Sequence, residues 1–204
     1  VRVQRIAVPA ETGSAFALAA VCVSVSWAVG GVFLGLGGAI TKDLVGRSDY
    51  LVTGLVVACL QGAAAIAQLV WNLRAGPSMW RRGVVIGVAT MLVGVVAASL
   101  TLEAGSVPGF VVASIVTGLG MGLLFLMGTT LVAQSAPDGA RGEVFSALFV
   151  VAYISLGVPA VVAALAAEVI GLAVAFHLLV AAVSVISIGA LVAVARPAAR
   201  RPRA

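Results

Sequence analysis

Six stretches of the chain, Ala15–Ile40, Leu51–Trp71, Gly83–Leu102, Pro108–Gln134, Val144–Ala167 and Val169–Ala195, contain no Lys, Arg, Asp or Glu. About 20 residues of helix cross a hydrocarbon layer about 30 Å thick, and every one of these runs reaches that length. None alternates with a period of two, so none reads as a barrel strand. Backbone groups in hydrocarbon must satisfy one another, which leaves the helix as the way across. The sequence therefore predicts an all-α integral membrane protein with six transmembrane helices.

Composition agrees: 9% of residues are charged and 62% hydrophobic, against roughly 25% charged in a soluble domain. Between the runs lie only short separators, Thr41–Tyr50, Asn72–Arg82, Glu103–Val107, Ser135–Glu143 and a tight turn at Glu168. The expected organisation is an N-terminal segment over 1–14, one six-helix domain over 15–195 and a basic tail over 196–204. Opening on Val1 rather than Met fits a fragment, a processed chain or an alternative start codon. The first apolar run is too long for the core of a signal peptide.

Short connections make successive helices antiparallel. With the N-terminal segment inside, the inner segments hold Arg2, Arg5, Arg74, Arg81, Arg82, Arg141, Arg196, Arg200, Arg201 and Arg203, and the outer ones only Lys42 and Arg47. Ten of the twelve basic residues then share one side, as positive-inside topology requires. Both termini are expected in the cytoplasm and the protein in the cell membrane, crossing it several times. The net charge of +5 belongs to membrane flanks and calls for no nucleic acid partner.

Polar residues inside spans are where transport chemistry is sought. Gln61 and Gln68 lie seven apart on one helical face of the second run; two amides in a low dielectric need partners or water, which favours a cavity. Ser24, Ser26 and Trp27 mark the first run. Thr117, Met121 and Phe125, spaced by four in the fourth run, form a stripe that serves packing or lines a ligand wall. Tyr153 and Pro159 give the fifth run a polar handle and a kink. His177, the one histidine, is a candidate proton relay, although without a carboxylate in its own span it also fits a simple hydrogen bond near the interface.

No carboxylate falls near the middle of a run. Glu103 and Glu168 sit at outer ends and Glu143 at an inner end, so no coupling acid is evident. Hydrolase, zinc-protease and phosphate-loop motifs are absent, and Cys22 and Cys59 lie at different depths without further ligands. No enzyme, metal or cofactor is expected. Small residues four apart, Gly31 with Gly35, Gly83 with Gly87 and Gly118 with Gly122, mark faces where helices approach closely.

The order of several segments resembles a known family. These are the basic opening Arg2–Pro9, Trp27-Ala-Val-Gly-Gly-Val-Phe-Leu34 in the first span, the arginine-bearing loop Arg74–Arg82, and Ala136-Pro-Asp-Gly-Ala-Arg-Gly-Glu143 leading to Tyr153 and Leu156-Gly-Val-Pro159. Together they resemble the C-terminal six-helix half of a major facilitator superfamily transporter, and the Ala-, Val- and Gly-rich style is similar to efflux members. The resemblance implies two inverted three-helix repeats and a midplane substrate site between two halves. It makes residues 1–14 the end of a central loop and turns the first and fourth spans toward the cavity, with Trp27, Thr117, Met121 and Phe125 as lining candidates. It further implies efflux of a small amphipathic molecule by alternating access, with a missing N-terminal half or a second copy as partner. The separator Asn72–Arg82 keeps only the arginines of the family's loop signature. The competing expectation is a six-span permease-like or accessory subunit that works with a partner protein.

Overall fold

The computed structural model describes residues 8–46 and 50–195, which are helical apart from short turns. A 3-10 turn, Ala10–Thr12, leads into α1 (Gly13–Val45); α2 (Tyr50–Arg74) is followed by a second 3-10 turn, Pro77–Met79, and by α3 (Trp80–Glu103), α4 (Val107–Ser135), α5 (Arg141–Ile170) and α6 (Leu172–Ala195). All six are long and apolar enough to cross a membrane. The protein is a multi-pass membrane helical bundle. The start of the N-terminal segment, the basic tail and residues 47–49 lie outside the described residues.

Five of the six helices outrun the charge-free runs that announce them, and α6 begins three residues later than its run. α1 continues through Lys42 and Asp43 and stops at Gly46, whose φ of 75° is left-handed. The turn expected at Glu168 falls instead at Gly171, φ 87°, and Glu168 belongs to the last turn of α5. Charge marks where hydrocarbon ends, but a helix ends where the backbone can leave right-handed geometry, and glycine does so without a Cβ clash. The α3–α4 turn uses both devices: Gly105 takes φ 63°, and Ser106 Oγ accepts a hydrogen bond from the Gly109 N–H at 3.3 Å as α4's N-cap.

α1 and α4 form the buried centre. α1 packs on α4 and α5, α4 packs on α2 and α3, and α6 closes against α3 and α1. Glycine makes the tightest of these contacts possible. A Cβ on Gly31 would run into the backbone of Leu156, and one on Gly35 would press on Ala160, both in α5. Likewise a Cβ on Gly118 would meet the backbone of Leu60, and one on Gly122 that of Ala64, both in α2. The third pair, Gly83 and Gly87, receives Met127 and Leu124 of α4. Phe33, Phe110 and Phe176 tie α1, α4 and α6 together, with ring centroids 5.8 to 6.4 Å apart. Hydroxyls within the spans mostly bond back to their own helix, as Ser114 does to Phe110 O at 2.7 Å and Ser184 to Val180 O at 2.7 Å; Ser187 is an exception.

Candidate substrate cavity

The same crossings leave a space on one face of the centre. Ser26 Oγ donates to the carbonyl of Met121 at 2.9 Å, pinning α1 to α4, and Gly30 lies beneath the Met121 sulfur. Gly122 draws α2 against α4 and Gly31 draws α5 against α1. Between these four helices is a cavity of about 460 Å³, within the size range of small-molecule sites. α1 contributes Ser26, Trp27, Gly30 and Leu34; α2 contributes Gln61, Ala64, Ala65 and Gln68; α4 contributes Met121, Gly122 and Phe125; α5 contributes Tyr153 and Leu156. These positions fall near the middle of their helices.

Three aromatic rings form one corner. Trp27 lies 5.8 Å from Phe125 and 5.2 Å from Tyr153, edge to face with the latter, a geometry that favours ring contact beyond simple burial. The cavity has an open side, where Leu34, Gln61 and Tyr153 remain exposed. No charged residue lines it. Among the described residues neither glutamine amide has a hydrogen-bond partner, so both are free to bind a polar group or water. Such a surface can hold an apolar or aromatic body and orient it by amides, but offers no charge to an ionic ligand.

Six of the candidates named from sequence, Trp27, Gln61, Gln68, Met121, Phe125 and Tyr153, meet here. Thr117 does not. It is fully buried between α3 and α4, donates to Ala113 O at 2.8 Å, and leaves no room for a Cβ on Gly94. Each step of four residues advances about 40° around a helix of 3.6 residues per turn, so the stripe slants about 80° from Thr117 to Phe125 and only its second half reaches the cavity.

His177 also stands apart. Its Nε2 lies 3.1 Å from Glu103 Oε1, with both side chains partly exposed, tying the start of α6 to the end of α3. A partner carboxylate was not expected because none lies in the same span; it comes from another helix, through tertiary contact that local sequence does not carry. Gly30, Leu34, Ala64, Ala65 and Leu156 were missed as lining residues because small and aliphatic side chains give no polar signal within an apolar run. Pro159, inside α5, leaves the carbonyl of Ser155, the residue next to Leu156, without its usual amide donor. Among the described residues no cluster of His, Cys, Asp and Glu could hold a metal.

Comparison with known proteins adds no relative: no family model matches the chain, and no curated protein matches it.

Proposed function

We propose that the chain works as one six-helix half of a secondary transporter of the major facilitator type, exporting a small amphipathic molecule by alternating access. The observation that carries this reading is the charge-free, amide- and aromatic-lined cavity near mid-membrane, open on one side, between α1, α2, α4 and α5. A site of that kind is what one wall of a two-walled transport pathway supplies.

The packing lends a second support. Gly31 on Leu156 and Gly35 on Ala160 are matched by Gly118 on Leu60 and Gly122 on Ala64, so exchanging the first three helices with the last three carries one set of contacts onto the other. Helices three apart in an antiparallel series run in opposite directions. The exchange is therefore an inversion, the relation expected of two inverted three-helix repeats. Orientation with both termini cytoplasmic rests on the ten-to-two partition of basic residues.

The test is transport by the complete assembly carrying Gln61→Leu with Gln68→Leu. Dye efflux should fall at least about tenfold while membrane abundance stays within about twofold of wild type, because leucine removes the two free amides from the site. Efflux at the wild-type rate would overturn the reading.

A further inference from the structure

A second pocket, of about 140 Å³, lies at the membrane end where α2 passes to α3. Its walls are Trp71 and Asn72 from the end of α2, Ala75 and Gly76 from the turn, Trp80 from the start of α3, and Met127 and Thr130 from α4. Unlike the central cavity it is bracketed by charge. Arg74 immediately precedes the turn, and Arg81 and Arg82 occupy the first turn of α3. All three side chains belong to exposed residues, and none forms an ion pair within the described residues.

The cluster is uncompensated in a way that helix electrostatics makes unfavourable. The N-terminus of α3 has no side-chain cap and no acidic residue in its first turn, so the positive end of its dipole and two guanidinium groups present the same sign together. The acids described at this end, Glu11, Asp138 and Glu143, sit on other segments, and Asp138 is engaged by Arg141 at 3.3 Å. An anion is the missing complement. Topology alone asks for positive charge on this side, but not for a pocket with amide and hydroxyl groups beside it.

Two indoles fix the depth. Tryptophan favours the headgroup level of a bilayer, and here Trp71 and Trp80 both line the pocket while the Arg81 guanidinium lies 5.4 Å from the Trp80 ring centroid. The anion most concentrated at that level is a lipid phosphate, and basic pockets between membrane helices recognise anionic headgroups. We propose that this pocket binds the phosphate of an anionic phospholipid, with Arg74, Arg81 and Arg82 supplying charge, Asn72 and Thr130 supplying hydrogen bonds, and the indoles packing beside the glycerol and upper acyl region.

The test uses the full chain, purified and delipidated in detergent, with bound lipid counted by native mass spectrometry after adding phosphatidylglycerol or phosphatidylcholine. Phosphatidylglycerol should be retained at least about tenfold more strongly. Arg81→Gln with Arg82→Gln should reduce that preference to near parity, Asn72→Leu should weaken it while leaving every charge in place, and Arg141→Gln should leave it unchanged. Equal retention of the two lipids, or undiminished preference in both the arginine and Asn72 variants, would overturn the proposal. If inorganic phosphate at about 10 mM displaced phosphatidylglycerol completely, the pocket would be a free-phosphate site and the lipid assignment would fall.

Discussion

A hydroxyl in hydrocarbon has to find an acceptor, and the nearest is the carbonyl one turn back on its own helix. Ser26 bonds instead across to Met121 O, converting a local necessity into a link between α1 and α4 at the wall of the cavity. Ser26→Ala removes that link, and since a neutral hydrogen bond contributes about 1 kcal/mol net, the midpoint of thermal unfolding in detergent should fall measurably without loss of insertion. Ser187 shows the opposite case. Its hydroxyl is buried with no hydrogen-bond partner among the described residues, so Ser187→Ala should raise the same midpoint, because a buried unsatisfied group costs about 1–3 kcal/mol. A lower midpoint for Ser187→Ala would mean that this hydroxyl has an acceptor after all.

Helix pairs are set by glycines that have run out of room, and the contrast with roomy glycines makes the point testable. Gly118 has the Leu60 backbone against it, whereas nothing lies within 4 Å of a Cβ built on Gly62. Gly118→Ala should therefore push α2 away from α4 and lower both unfolding midpoint and folded yield. Gly62→Ala should be neutral or stabilising, since alanine is better than glycine in a helix by about 1 kcal/mol; equal damage from the two would remove close packing as the explanation. Much at this scale was legible in the sequence. Spans were readable because exclusion of charge from hydrocarbon is a strict local rule, and Gly31–Gly35 and Gly118–Gly122 because a helix repeats a face every four residues. Helix ends were less so, since Lys42 and Asp43 mark the membrane edge while Gly46 ends the helix. Thr117 falls outside the cavity because its stripe slants around α4. The His177–Glu103 contact joins residues far apart in sequence, and no local pattern announces it.

On the proposed reading the bundle as a whole offers one wall of a pathway, and its described residues show no means of driving it. Its cavity is open beside exposed Tyr153 and Leu34, so a ligand held there by this chain alone would keep one face toward lipid or solvent. The spans contain no carboxylate near mid-membrane, and the His177–Glu103 pair sits at a membrane end away from the cavity, where protonation cannot be read directly by a bound ligand. Alternating access needs two bodies that rock around a shared site. On that reading a second six-helix unit, a complementary half or another copy, would close the open side, but only a complementary half could bring a mid-membrane acid. Insertion should not depend on that partner, since each helix is apolar enough to partition by itself. The expected outcome is that the 204-residue chain reconstitutes into liposomes as an inserted protein yet gives no flux of a lipophilic dye under an imposed pH gradient, while the chain joined to a complementary half does. Gradient-driven flux by the purified chain alone would show that two copies suffice and that the driving group lies within these helices; absence of flux in the joined protein, with both parts folded, would favour the accessory-subunit reading over transport by rocking halves.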